Sequence, residues 1–304
     1  MQRTESSRTA LGYGLLVITA IGWAGAWLTA RVAAHDLPPL TVTLGRFTVA
    51  AVALLPAWFV LERRARLRLT LREWLMIVGM SLTGIVCYTV LFMLGVAYAP
   101  ASDGAVITPG LAGVFALAIS TVALGSRPGS RAIAGAVTAS LGTLLVGWSA
   151  IRTTGFGSER MVGDVLFVVS AAIWGIYTVL GKALSDRVPA ITGILACSVI
   201  GVIVLLPAVL LWDGVPRPGE WSPAAVVNVV YLGLGGTAVS FVTFYLAVKL
   251  IGIGRTAPAL GLVPFFGVLG AALLLHERLV PLHAVGGLLV IAGILIPAVR
   301  SRAI

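Results

Sequence analysis

Two tryptophans four residues apart, Trp23 and Trp27, stand in one apolar stretch, and Trp174, Tyr177 and Thr178 stand in another. A spacing of four puts two side chains on one face of a helix, about one turn apart. Such aromatic faces can stack a flat apolar group or hold an ammonium by cation–π attraction. The pattern recurs in Tyr88 and Phe92, and again in Phe241, Phe244 and Tyr245, where Ser240 and Thr243 add hydroxyls. This is the chemistry of binding rather than of bond breaking. Each group also has a plainer reading: aromatic rings pack helices together, and helical hydroxyls bond back to the preceding turn.

Arg46 is the deepest unambiguous charge in any apolar run. An intramembrane ionisable group is costly and marks function by default, yet arginine also snorkels or pairs with carbonyls, which favours a structural or gating role. Thr108-Pro109-Gly110, Pro258 and Pro264 interrupt two more runs. Each proline removes a backbone donor and kinks its helix, and the freed carbonyls must face protein or a water-filled cavity. These positions are therefore expected to line a pathway, to bend, or to form fixed kinks.

The elements that must hold these residues follow from composition. Of 304 residues, 59 % are hydrophobic and 11 % charged, with a mean hydropathy of +1.05. Soluble domains carry about 25 % charged residues, so lipid is the solvent for most of this chain. A crossing needs roughly 20 apolar residues. Ten such runs read along the sequence: 11 to 34, 41 to 61, 74 to 98, 102 to 124, 131 to 151, 163 to 184, 191 to 212, 224 to 249, 255 to 275 and 281 to 299. Residues 1 to 26 have the outline of a signal peptide, with Arg3 and Arg8, an apolar run and Ala24-Gly-Ala26. A copy of the same segment around Trp174 argues for a retained first helix.

The net charge of +10 suggests nucleic acid only until it is placed. With the N-terminus inside, fifteen Lys and Arg fall on inner segments and five on outer ends, Arg46 lying within a helix. The positive-inside rule then puts both termini in the cytoplasm. No metal-protease or P-loop motif appears, and Gly252-Ile-Gly-Arg-Thr-Ala257 lacks the strand and βαβ unit a dinucleotide fingerprint needs. His35, His276 and His283 have no repeated partner. No metal, cofactor or nucleic acid is expected. No carboxylate falls at a helix centre, as a proton relay would require, so passive facilitation is the simpler expectation; Asp103 and Asp164 are the nearest alternatives.

The chain repeats itself. A shift of 151 residues places Gly12 on Gly163, Trp23 on Trp174, Arg31 on Lys182, Pro38 on Pro189, Thr41 on Thr192 and Leu54-Leu-Pro-Ala57 on Leu205-Leu-Pro-Ala208. The register slips by one in the third and eighth runs, then recovers with Gly135 on Gly286 and Gly142 on Gly293. The expected fold is an all-α integral membrane protein of ten transmembrane helices, built as two five-helix repeats, 1–151 and 152–304. Five is odd, so the second repeat enters the membrane inverted, an architecture of transporters with a site between the halves. The repeated small residues read as close helix contacts.

The order of these features, with "LGRF" at Leu44 to Phe47, Pro264-Phe-Phe-Gly-Val-Leu-Gly270 and His276-Glu-Arg-Leu279, resembles the EamA family of the drug/metabolite transporter superfamily over nearly the whole chain. The resemblance implies inner-membrane export or facilitated movement of small metabolites such as amino acids, amines, purines or drugs. It also implies a central cavity lined by helices 1, 3, 4, 6, 8 and 9. Where the second repeat has His276-Glu-Arg, the first has Gly125-Ser-Arg127, so only Glu277 carries over, as a helix-end structural residue. The expected substrate contacts are Trp23, Trp27, Tyr88, Phe92, Thr108, Trp174, Tyr177, Ser240, Phe244 and Tyr245. Arg46, Pro109, Pro258, Pro264 and Glu277 are expected to gate or to support. A monomer or homodimer in the plasma (inner) membrane is expected, carrying a small molecule. An integral-membrane enzyme on lipid-like substrates, or a structural membrane protein, stands as the alternative.

Overall fold

The computed structural model describes residues 2–63, 69–125, 127–154, 158–184, 187–215, 217, 219, 221–251, 262–277 and 281–296. Among them, long helices make up the fold: α1 (Gln2–Asp36), α2 (Pro39–Leu61), α3 (Leu71–Tyr98), α4 (Ala101–Leu124), α5 (Ser130–Thr154), α6 (Glu159–Leu184), α7 (Ala190–Trp212), α8 (Pro223–Ile251), α9 (Leu262–Leu274) and α10 (Pro281–Leu295). The first eight contain apolar spans of 20 to 29 residues, long enough to cross a bilayer. Helices α9 and α10 are shorter in the described residues. Positions 255–261 and 297–299, which the runs of hydropathy include, lie outside them, as do Pro258 and the glycines of 252–257.

Local chemistry explains the boundaries. Pro39 and Pro223 occupy first helical positions, and Pro100 and Pro189 are N-caps, where a missing N–H costs nothing. Thr70 and Glu73 form a capping box that starts α3 three residues before the hydropathy run begins. Helix α4 stops at Gly125 in a left-handed conformation (φ 62°). Helix α1 begins well before residue 11 because a nucleated helix extends cheaply through the polar residues ahead of its apolar segment.

Periodicity gave no warning of two π-helical turns, Ser81–Cys87 within α3 and Leu234–Val239 within α8. Each re-phases its helix, a feature common at functional sites.

Two helix pairs carry a visible two-fold relation. Glu62, just past α2, accepts hydrogen bonds from Ile191 N (3.2 Å), Thr192 N (2.7 Å) and Thr192 Oγ1 (2.8 Å) at the start of α7. Asp213, just past α7, accepts from Thr41 N (2.9 Å) and Thr41 Oγ1 (2.7 Å) at the start of α2. The two helices are therefore antiparallel, each end capped by the other. Helices α5 and α10 meet in the same manner through glycine. A Cβ on Gly142 would collide with Gly286 O and stand 2.8 Å from Val290 N, and one on Gly293 would stand 2.6 Å from Gly135 O. Shifting either contact by 151 residues generates the other.

The backbone-to-backbone approach of α5 and α10 yields a test. Gly142→Ala should lower thermal stability in detergent by about 1–3 kcal/mol through overpacking. Gly147→Ala, where nothing lies within 4 Å of the added carbon, should be neutral or stabilising. Equal melting curves for the two variants would contradict the packing described.

Candidate functional site

The helices enclose a cavity of about 620 Å3. Its wall is aromatic: Trp23 and Trp27 from α1, Phe47 from α2, Tyr88 and Phe92 from α3, Trp174 and Tyr177 from α6, Phe241 and Phe244 from α8. The rings touch in series. Trp27 meets Phe92 edge-on (4.6 Å between centroids), Phe92 stacks on Tyr88 (6.0 Å), Tyr88 meets Trp174 (4.6 Å), and Trp174 meets Tyr177 (4.7 Å). Trp23 packs on Phe241 and Phe244, both at 5.5 Å. Half-buried Trp23, Tyr88, Trp174 and Tyr177 present ring surface to the cavity, whereas Trp27 and Phe92 are largely consumed by packing. Gly84, in the π-turn of α3, makes room for the Tyr177 ring: a Cβ there would stand 2.7 Å from Tyr177 Cγ.

Polar groups on this wall are few. Thr108 and Pro109 of α4 line it, and Thr108 Oγ1 donates a long hydrogen bond to Phe167 O (3.5 Å). Arg46 is the single charged residue on the described wall. Its Nε donates to Thr237 Oγ1 (3.0 Å), and that hydroxyl in turn donates to Leu232 O (2.9 Å) five residues back, across the π-turn of α8. The guanidinium also lies over the Phe47 ring, 5.2 Å from its centroid.

Three expected site residues are placed elsewhere. The Ser240 hydroxyl is buried and donates to Gly235 O (2.7 Å), because the π-turn offers a carbonyl five residues back. Tyr245 leans against the α2–α7 side, with Lys249 Nζ 4.3 Å from its ring centroid. Pro264 is buried near the start of α9, where its neighbour Val263 reaches the cavity instead. Pro258 lies outside the described residues. The wall also draws on more helices than the six implied by family resemblance, adding Arg46 and Phe47 from α2, Gly135 and Ala139 from α5, Ile194 from α7 and Ile294 from α10. Phe47, Thr89 and Thr237 had no signal in spacing, because the facing of α2 and the re-phasing by π-turns place them.

The lining of the cavity extends to Leu117 in the last third of α4 and Ala132 at the start of α5, and includes none of residues 101–107 at the start of α4. There Arg160 holds Asp103 at two points, Nε to Oδ2 at 2.7 Å and Nη2 to Oδ1 at 3.0 Å. Glu277 accepts from Ala101 N (2.8 Å) and Ser102 N (3.1 Å), capping α4. Buried Asp164, one turn beyond Arg160, presents an Oδ1 that no donor among the described residues meets. Arg31 donates to Val96 O and Ala97 O (3.0 Å) at the same end of α3.

The model of the EamA-like transporter family matches residues 10–148 and again 161–298. The chain belongs to that family. It is 27 % identical over 288 residues to an uncharacterized transporter of Archaeoglobus fulgidus, covering 95 % of this chain and 97 % of the other. It is 33 % identical over 285 residues to a probable terminal-alkyne amino-acid exporter of Streptantibioticus cattleyicolor, covering 92 % and 91 %. A probable amino-acid metabolite efflux pump of Escherichia coli matches at 24 % over 290 residues, 93 % of each chain. One solved crystal structure shares the fold with a TM-score of 0.66 at 20 % identity, spanning 96 % of both chains. This EamA-like protein is thus a multi-pass membrane transporter.

In this EamA-like transporter the Asp103–Arg160 pair ties α4 to α6. Asp103 is fully buried and the Arg160 side chain is 18 % exposed. Truncating one partner of a buried pair leaves the other's charge poorly compensated, so Asp103→Ala should cost about 3 kcal/mol. The drop in melting temperature should exceed that of Asp213→Ala, a cap worth about 1 kcal/mol. A smaller drop would show that the pair does not hold these helices.

Proposed function

We propose that the protein exports small amphipathic metabolites, amino acids foremost and also aromatic or amine compounds, by alternating access between the halves 1–151 and 152–304. The observation that carries this reading is an aromatic-walled cavity between helices of both halves. The names of two relatives, an amino-acid exporter and an amino-acid metabolite efflux pump, support the substrate class.

Charge placement supports the direction. The lining reaches Leu117 and Ala132, toward the end that the Lys and Arg distribution assigns to the cytoplasm. In this reading the opposite end is the outer one, where Asp103–Arg160 and the Glu277 cap each join the first half to the second. Substrate enters from the cytoplasm, and opening outward requires those contacts to part. In this reading the protein is a carrier rather than an enzyme, with no cofactor and no nucleic-acid partner. It works as a monomer or homodimer in the plasma (inner) membrane, with both termini cytoplasmic.

Counterflow in proteoliposomes tests the proposal. Vesicles preloaded with unlabelled amino acids, aromatic acids or amines should accumulate the labelled compound, and protein-free vesicles should not. No accumulation across the panel would sink it. In a background with Cys87 and Cys197 replaced by serine, Trp23→Cys and Trp174→Cys should react with reagents supplied from either side in turn. Labelling from one side alone would rule out alternating access.

A further inference from the structure

Arg46 is a buried cation, with only 9 % of its surface exposed and no carboxylate partner among the described residues. Its one hydrogen bond uses Nε, the nitrogen nearest the chain, and the acceptor is the Thr237 hydroxyl. No acceptor among the described residues meets Nη1 or Nη2, the outer edge of the guanidinium fork. Arg46 nevertheless lines the cavity. A guanidinium held away from bulk solvent with its fork unfilled by protein is a ready partner for an anion, and the fork matches a carboxylate by two parallel hydrogen bonds.

The surroundings sharpen this. Thr237 is held in place by its own donation to Leu232 O across the π-turn, which fixes Nε and with it the plane of the fork. Phe47 covers the guanidinium on one face. No Asp or Glu among the described residues lines the cavity. A substrate cation would therefore find ring faces, a few hydroxyls and a repelling arginine, but no carboxylate among the described residues. A carboxylate would find a preset fork, and an apolar body attached to it would find Tyr88, Trp174 and Trp23.

The geometry points to Arg46 as the carboxylate anchor of the cavity, selecting substrates that carry a carboxylate on an apolar or aromatic body and rejecting amines that lack one. This assignment rests on the reading of the cavity as the transport site. An amino acid satisfies it through its carboxylate, its ammonium being left to the aromatic faces by cation–π attraction.

The test compares four matched probes on the full-length protein in lipid nanodiscs, with binding read from intrinsic tryptophan fluorescence: 3-phenylpropionate, phenylalanine, phenylalaninamide and phenethylamine. Wild type should bind the two carboxylates at least tenfold more tightly than the amide and the amine. Arg46→Gln should weaken the carboxylates by about ten- to a hundredfold, the range for a lost charge-assisted hydrogen bond, and leave the other two little changed. Arg46→Lys, which keeps the charge without the fork, should recover part of the loss. A merely structural Arg46 would lower all four affinities together. That result, unchanged carboxylate affinity in Arg46→Gln, equal wild-type binding of amine and carboxylate, or no carboxylate binding at all would overturn the assignment. Flux in proteoliposomes separates the two readings. Arg46-dependent binding without flux would sink the carrier and leave the anchor standing, whereas flux indifferent to Arg46 and to the carboxylate would do the reverse.

Discussion

A helix end held inside a membrane protein has four amide donors without intrahelical partners, and lipid offers them nothing. The architecture turns on how this chain answers that constraint at three of its helix starts. Glu62 takes up the first amides of α7, Asp213 those of α2, and Glu277 those of α4. In each case the carboxylate comes from a different helix, and the cap lies across the boundary between the first and second halves of the chain. Each charge is thereby set against the positive end of a helix dipole, and each cap also sets which helix ends lie side by side. Antiparallel pairing of α2 with α7 follows from two such caps, and the glycine contact of α5 with α10 obeys the same two-fold.

Within that frame the cavity is shaped by departures from regular helix. The π-turn of α3 carries Gly84, which admits the Tyr177 ring, and precedes Tyr88 and Phe92. The π-turn of α8 carries Thr237, whose hydroxyl orients Arg46. At the π-turn of α8 the side-chain hydroxyls of Thr237 and Ser240 each donate to a carbonyl five residues back, Leu232 O and Gly235 O. The result is a mainly aromatic pocket with one oriented cation. The contacts at the start of α4 belong to a different physical class: a two-point ion pair and a carboxylate cap.

Much of this was legible in sequence wherever a residue's role depends on its solvent. Lipid demands long apolar runs, so the eight long spans were visible from hydropathy. The duplication was visible because Trp, Pro and cationic residues seldom coincide by chance at one shift. That shift also lays Glu62 on Asp213, a signal of the reciprocal caps, although reading them as loop carboxylates hid it. Trp23, Tyr88, Phe92, Trp174, Tyr177 and Phe244 stood out by spacing and do line the cavity. Ser240 and Tyr245 stood out by the same spacing and do not, because on the regular helix after the π-turn Phe241 and Phe244 take the cavity face and the residues beside them point away from it.

Sequence by itself determined the solvent, the duplication and the aromatic character of the interior, since each depends on residue type and order along the chain. Tertiary structure alone decided which rings are spent on packing and which face the void, where the helices are re-phased, and that Arg46 meets a hydroxyl rather than a carboxylate. Those outcomes depend on the rotation of each helix about its own axis and on which neighbour supplies an acceptor. Neither is encoded in any local stretch, because a helix in lipid is apolar on nearly every side.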